Sequence, residues 1–121
     1  MQDFRRLAVW QKAHAHVLAL YESTSAFPPA ERYGLTSQIR RCGSSIPANI
    51  AEATGRRVGP DGRRFYEIAA GSAAELEYHL LLARDLGLLS SPDHQRLQSA
   101  TEEIKRMLSG LIRSQRKREE L

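Results

Sequence analysis

The spacing of apolar residues constrains this chain more than any other feature of its sequence. In four segments, apolar side chains recur every three or four residues, which is the period of one face of an α-helix. No run alternates β-branched and polar residues as a half-buried strand would. The chain is therefore predicted to be all-α, with helices at about residues 7–25, 33–56, 61–87 and 92–115.

Proline, glycine and capping residues mark the breaks between these helices. Pro28 disfavours α geometry at the residue before it, so the first helix is predicted to end there. Asp61 is a good N-cap for the third helix. Ser91 is predicted to cap the fourth helix, with Pro92 at its first position, and the C-terminal RSQRKREEL is predicted to fray.

Four helices joined by short connections predict an up-down antiparallel four-helix bundle. A length of 121 residues suits a single domain, residues 1–121, with one modest core. Aromatic residues are few, at one Trp, four Tyr and three Phe. That composition favours a core of Leu, Ile and Ala between helices over a β-sandwich.

The cellular setting is predicted from cysteine usage and from hydropathy. Cys42 is the single cysteine, so no internal disulfide can form, and a reducing cytoplasm is expected. No apolar run approaches the ~18 residues of a membrane span. The opening MQDFRRLAVW lacks the pattern of a signal peptide. A cytoplasmic protein without a membrane role is expected.

Basic residues are mostly arginine and come in pairs. Of 18 basic residues 15 are arginine, against 14 acidic residues, for a net charge of +4. Arginine's planar fork suits phosphate and carboxylate groups. A GC-rich genome would produce the same bias, so composition alone explains it equally well. The candidate nucleic-acid contacts are Arg40, Arg41, Arg56, Arg57, Arg63 and Arg64.

The segment RRVGPDGRR holds four of these arginines around a predicted tight turn. It lacks the Gly-Lys-Ser/Thr of a nucleotide-binding loop. Any contact with nucleic acid is expected to be to the backbone, since no base-reading element is recognisable. The alternative is a solvated loop with surface ion pairs.

The second predicted helix contains a proline. Pro47 removes one backbone hydrogen bond and clashes with the carbonyl of Gly43, at a cost of ~3 kcal/mol if nothing compensates, so a kink is predicted. Beyond it, Asn49, Glu52 and Arg56 fall on one stripe at the edge of the buried face. Glu52 and Arg56 are spaced for an ion pair.

Partners for this stripe are expected on the third helix, in GSAAELEY, which supplies Ser72, Glu75 and Tyr78. Gly71, which costs ~1 kcal/mol in a helix, is predicted to allow close helix packing. The polar cluster is interpreted as structural, and its members are Gln38, Asn49, Glu52, Ser72 and Glu75.

Catalytic and metal-binding patterns are weak. A di-metal bundle needs Glu-x-x-His motifs, whereas Glu75 and His79 are four residues apart. His14 and His16 point to different helix faces. Cys42 is interpreted as a small buried apolar residue. No catalytic residue, metal or cofactor is predicted, although an enzyme using the Asn49, Glu52 and Arg56 stripe is a remote alternative.

Four motifs in order resemble the four helix bundle protein family, also called 23S rRNA intervening sequence proteins. They are F-x-x-L-x-V-W-Q-K-A (4–13), F-P-x-x-E-R-Y-G-L-T-S-Q-I-R-R (27–41), S-I-P-A-N-I-A-E (45–52) and A-x-G-S-A-x-E-L-E (69–77). The resemblance covers almost the whole chain. It implies a four-helix bundle that assembles as a homo-oligomer, typically a pentamer, with no established enzymatic activity or cofactor.

Two functions are compatible with these observations. The first is a non-enzymatic oligomeric scaffold or adaptor with charge-driven, sequence-independent affinity for RNA or DNA. The alternative is a protein–protein interaction module whose ring binds a partner protein and has no nucleic-acid role. In a five-fold ring, a mildly basic loop would repeat around the axis and form a dense positive rim.

Overall fold

The computed structural model describes residues 3–56 and 59–120. In that part of the chain there is helix and no strand. The four α-helices are α1 (Ala8–Thr24), α2 (Leu35–Thr54), α3 (Pro60–Asp85) and α4 (Ser91–Glu119). Short 3₁₀ helices at Phe4–Arg6 and Pro29–Glu31 precede α1 and α2. Within the described ranges, no helix combines the length and the apolar character needed to cross a membrane.

The helix starts differ from the predicted ones by one or two residues. Helix α3 begins at Pro60, with Asp61 in its first turn, so the prediction that Asp61 caps this helix is wrong. Gly59 stands before it with a φ of 144°, a conformation that favours glycine. At α4 the cap is Ser90 instead of Ser91, and its side chain accepts a hydrogen bond from the backbone N–H of Asp93.

Helix α4 continues to Glu119, so the prediction that it frays after about residue 115 is wrong. Its last turn carries Arg116, Lys117 and Arg118, and cations stabilise the negative end of a helix dipole. Glu119 also accepts a hydrogen bond from Arg63 Nε at 2.8 Å. This contact ties the last turn of α4 to the start of α3.

The core lies between all four helices. Each helix contacts the next one in the chain, and α4 also contacts α1. Aliphatic side chains from every helix are at most 1% exposed there, among them Leu20, Ile39, Ile46, Ile50, Leu76, Leu80, Leu97, Ile104 and Leu108. Burial of this apolar surface is the main stabilising term of such a domain.

The closest described approach involving a helix glycine is between α1 and α2. A Cβ atom added to Gly43 would lie 2.5 Å from Leu20 Cδ1, so only glycine fits without a shift. At Gly71 an added Cβ would have nothing within 4 Å, and the residue is exposed. The prediction that Gly71 allows close packing is therefore wrong. Helix α2 continues through the buried Pro47 and ends at Thr54.

Candidate functional site

The six candidate arginines lie in two separate groups. Arg40 and Arg41 belong to the first half of α2, whereas Arg56, Arg63 and Arg64 surround the connection from α2 to α3. Arg57 lies outside the described residues. Arg40 lies fourteen residues before Thr54, the last residue of α2, which corresponds to about 21 Å at 1.5 Å per residue, and Arg56 lies beyond that end. The structure therefore does not gather these arginines into one site.

The second group is enlarged by the end of α4. Arg116 Nη2 lies 3.7 Å from Glu67 Oε2 on α3. Burial raises the pKa of the Tyr66 phenol on α3, and the charge of nearby Arg118 offsets part of that rise. We call this surface the arginine end. It consists of Arg56, Arg63, Arg64, Arg116, Lys117 and Arg118.

Sequence reasoning missed the contribution of α4 because RKREEL reads as a solvated tail. The sequence did contain one signal for a longer helix. Three consecutive basic residues suit the last turn of a helix, because cations stabilise the negative end of the helix dipole. Where that helix ends in space depends on its length, and the helix is longer than predicted.

Some cations of the arginine end are paired with carboxylates. Arg56 Nη2 donates to Glu52 Oε1 at 2.7 Å, the ion pair that the spacing predicts, and its guanidinium lies 4.7 Å from the centroid of the Phe65 ring. Arg63 donates to both Glu67 and Glu119 at 2.8 Å. These contacts hold both guanidinium groups in place and offset their charge.

Three other cations of the arginine end are differently placed. Arg64, Lys117 and Arg118 are exposed, and among the described residues none has a carboxylate oxygen within 4 Å. Their charge is therefore directed to solvent. Exposed cations of this kind attract phosphate groups with little desolvation cost.

Arg40 has a structural role in the other group. Its Nε donates to Thr24 Oγ1 at 2.9 Å, and Nη2 donates to the carbonyl of Tyr21 at 3.3 Å. The guanidinium also lies 4.3 Å from the centroid of the Tyr21 ring. Arg41 is exposed and lines a shallow groove together with Tyr33. Arg40 thus links α1 to α2 and is already occupied by protein groups.

The predicted polar cluster does not form a single network. Asn49 Nδ2 donates to the carbonyl of Ser45 at 2.8 Å and to Ser45 Oγ at 3.0 Å. Ser45 Oγ lies 2.9 Å from Ser72 Oγ, across the contact between α2 and α3. We call Asn49, Ser45 and Ser72 the polar row. Sequence reasoning missed Ser45, which joins the other two residues.

The remaining members of the predicted cluster lie elsewhere. Glu52 pairs with Arg56 at the surface, and Gln38 is exposed. Tyr78, predicted as a partner on α3, is 58% exposed and lies beside His94 of α4, so that prediction is wrong. Tyr78 fails as a partner because it lies on a different face of α3 from Ser72.

Glu75 approaches a residue that sequence spacing did not connect with it. Its carboxylate, the thiol of Cys42 and the imidazole of His79 place one ligand atom each within 4.8 Å of one another. Burial raises the pKa of the Cys42 thiol to about 11, with smaller contributions from the charge of Glu75 and a hydrogen bond to it. The thiol is thus protonated near neutral pH, which disfavours a role as a nucleophile.

A second histidine is buried between α1 and α4. His16 Nε2 lies 2.8 Å from Thr101 Oγ1, and Thr101 Oγ1 donates its own proton to the carbonyl of Leu97. The histidine nitrogen must therefore donate, which assigns the Nε2–H tautomer. Burial, with a smaller contribution from Arg96, lowers the pKa of His16 to about 4, so this histidine is neutral.

Comparison with known proteins now identifies the family. The sequence model of the 23S rRNA-intervening sequence protein family matches residues 5–110. The chain belongs to the 23S rRNA-intervening sequence protein family. No curated protein matches its sequence. A similar fold occurs in a 1.70 Å crystal structure of a protein with unknown function from the S23 ribosomal protein family of Bacteroides thetaiotaomicron VPI-5482.

That similarity has a TM-score of 0.79 at 25% sequence identity, and it covers 87% of this chain and 98% of the other. The resemblance drawn from the four motifs is thereby confirmed. In this member of the 23S rRNA-intervening sequence protein family, the motif at 45–52 supplies Ser45 and Asn49 of the polar row, and the motif at 69–77 supplies Ser72.

Proposed function

We propose that this protein is a non-enzymatic cytoplasmic scaffold that binds the phosphate backbone of RNA or DNA. The proposed scaffold is a homo-oligomer, namely a pentamer. The observation that carries the proposal is the arginine end. There, Arg64, Lys117 and Arg118 point their charge to solvent without a described carboxylate partner. Nearby Arg56 and Arg63 are held by Glu52, Glu67 and Glu119 and shape the surface.

Backbone binding is favoured over base recognition. Arginine and lysine neutralise phosphates without reading sequence, whereas specificity requires side chains that reach base edges in a groove. Arg40 is engaged by Thr24 and Tyr21. Arg40 and Arg41 lie about 20 Å of helix rise before the end of α2, and Arg56 lies beyond that end, so only a longer nucleic-acid segment would reach both groups.

An up-down bundle is part of the proposal, and contacts between helices support it. Residues near the end of one helix meet residues near the start of the next, as with Arg56, just after α2, and Phe65 of α3. Ion pairs join Arg63 near the start of α3 to Glu119 at the end of α4, and Lys12 of α1 to Glu103 of α4.

The outward face of α3 is the surface proposed to join subunits. Ile68, Tyr78 and Leu81 are 39%, 58% and 37% exposed, and exposed Gly71 and Ala74 lie between them on the helix. A second copy of the chain is the proposed occupant, because the family resemblance implies a homo-oligomer. Repetition of the arginine end around a ring would raise the local positive potential beyond that of one subunit.

Light scattering coupled to size exclusion tests the assembly. The expected mass is five times that of one 13.6 kDa chain. Tyr78→Glu places a charge on the proposed contact and is expected to lower the mass, whereas Tyr33→Glu, at an 88% exposed residue outside α3, is the control. A monomeric mass for the wild-type protein would contradict the assembly.

Affinity for structured RNA and duplex DNA, measured across a salt series, tests the binding. For duplex DNA, each contacted phosphate adds about 0.9 to the slope of log K against log salt. The variant with Arg64→Ala, Lys117→Ala and Arg118→Ala is expected to lower that slope by about 0.9 for each side chain that contacts a phosphate.

The matched control removes the same charge elsewhere, with Arg84→Ala, Arg96→Ala and Arg106→Ala. It is expected to keep the wild-type slope to within one phosphate. Equal losses in the two variants would show a general charge effect and contradict a site at the arginine end. Absence of binding even at ~50 mM salt would overturn the nucleic-acid role and favour the protein-interaction module.

A further inference from the structure

Three metal-ligating side chains meet where α2 contacts α3. Cys42 comes from α2, and Glu75 and His79 come from successive turns of α3, four residues apart on one helix face. The Cys42 thiol, one Glu75 oxygen and one His79 nitrogen all lie within 4.8 Å of one another. Among the described residues, this is the one group of three such ligands.

The His79 ring has no satisfactory partner within the described protein. Both Nδ1 and Nε2 are buried from solvent, and neither makes a hydrogen bond. The nearest carboxylate oxygen, Glu75 Oε1, lies 3.5 Å from Nε2. A buried polar group without a partner costs about 1–3 kcal/mol, so an additional ligand for this ring would stabilise the fold.

The other three histidines do not show this arrangement. His16 is hydrogen bonded to Thr101, and His14 stacks on Trp10 at 5.0 Å between ring centroids. His94 also has an unpaired Nε2, but no cysteine lies near it, since Cys42 is the single cysteine of the chain. The combination of thiol, imidazole and carboxylate is therefore particular to His79.

We propose that Cys42, Glu75 and His79 bind one zinc-class divalent ion per chain, with water completing a four-coordinate site. Thiolate, imidazole and carboxylate are the ligands that Zn²⁺ takes in proteins. Metal–ligand distances of 2.0–2.3 Å place tetrahedral ligand atoms about 3.5 Å apart. The ligand atoms lie within 4.8 Å of one another, so the group must contract by about 1.3 Å at most. Glu75, whose side chain is 59% exposed, can rotate to do so.

The sequence predicts no metal site here because it separates the ligands by more than thirty positions and shows only the Glu75 and His79 pair. On binding, the Cys42 sulfur coordinates the ion as a thiolate and its proton passes to solvent. The site is independent of the arginine end. Cys42 lies twelve residues before Thr54, the end of α2, a rise of about 18 Å, and Arg56 lies beyond that end, so either proposal can fail alone.

Cobalt is the probe that reports both ligand type and geometry. The full chain is stripped with a chelator and titrated with Co²⁺ under reducing conditions. One equivalent per chain is expected to produce a thiolate-to-cobalt charge-transfer band together with the intense visible bands of a four-coordinate ion. Stoichiometric Zn²⁺ should then remove both. No charge-transfer band in the wild-type protein would overturn the proposal.

Variants separate ligation from folding. Cys42→Ala and His79→Gln are each expected to abolish the charge-transfer band or to weaken Co²⁺ binding at least about tenfold. Glu75→Gln is expected to weaken binding and keep the band. His94→Gln is the matched control and should bind as the wild-type protein does. Melting temperature in chelator verifies that each variant folds, and unchanged Co²⁺ binding by folded His79→Gln would also overturn the proposal.

Discussion

The contacts that α1 makes with its neighbours differ from the contact between α2 and α3. Around α1 the contacts are close and buried, with Leu20 against Gly43 of α2 and His16 hydrogen bonded to Thr101 of α4. Between α2 and α3, half-buried polar side chains run along one edge of the contact, with Ser45 and Ser72 at its centre. Both regions contain a histidine and a glycine, but the surroundings of these residues differ.

The comparison shows how burial decides what a residue type does. His16 is buried, satisfied and neutral, whereas the nitrogens of His79 are buried without a hydrogen bond. Gly43 is required by a neighbouring side chain, whereas no atom of the same chain lies within 4 Å of a Cβ added at Gly71. Changes to the buried contacts of α1 are therefore expected to cost more stability than changes to the half-buried edge between α2 and α3.

The largest expected effect is the loss of stability in acid through His16. Its pKa is lowered from 6.5 to about 4 in the folded state, so the unfolded chain binds a proton first. The neutral His16 contributes fully to the free energy of unfolding above pH 6.5, and this contribution is lost as the pH falls toward 4. The free energy of unfolding should decrease by about 3 kcal/mol over that range.

Urea unfolding of His16→Gln at several pH values measures this effect against the wild-type protein. The variant should lose much less stability between pH 6.5 and 4, whereas His14→Gln should behave as the wild-type protein does. Parallel curves for His16→Gln and the wild-type protein would show that this histidine does not titrate as its burial requires.

The two glycines provide the next test. Gly43→Ala overpacks against Leu20, which costs about 1–3 kcal/mol, more than the ~1 kcal/mol that alanine gains in a helix. Gly71→Ala meets no neighbour within its own chain and is expected to stabilise the fold of the single chain by about 1 kcal/mol. Chemical denaturation should therefore separate the two variants by about 2 kcal/mol, and equal stability would contradict the difference between the regions.

The smallest effects are expected at the edge between α2 and α3. Asn49→Ala removes two hydrogen bonds to Ser45 and should cost about 1 kcal/mol. Glu52→Ala breaks an exposed pair with Arg56 and should cost about 0.5 kcal/mol or less. Thermal melting of both variants checks this order. A larger loss of stability for Glu52→Ala than for Asn49→Ala would show that Glu52 belongs to a structural polar cluster, as the sequence predicts.

Helix periodicity was sufficient to predict the all-α fold, because a stripe of apolar residues must be buried whatever its partners are. It placed the four helices within a few residues, apart from the end of α4. The additional turn there depends on Glu119 and Arg63, which are far apart in sequence and meet only after folding. Helix periodicity and capping patterns describe neighbouring residues only, so they could not predict the contact between Arg63 and Glu119.

Partners across helices were predicted less well for the same reason. The pair of Glu52 and Arg56 follows from spacing within one helix, and the structure contains it. Tyr78 was assigned to the wrong face, and the approach of Cys42 to His79 depends on how α2 and α3 are aligned. Alignment between helices is set by packing, which apolar periodicity alone does not specify.

The central claim is that the arginine end binds phosphate, and lysine footprinting tests it most directly. The chain has three lysines, and Lys12 and Lys105 are paired with Glu103 and Glu77, away from the arginine end. The protein is acetylated with and without saturating structured RNA, and each lysine is quantified by mass spectrometry. We predict that RNA protects Lys117 and leaves Lys12 and Lys105 unchanged. Bound RNA that leaves Lys117 as reactive as before would contradict the claim.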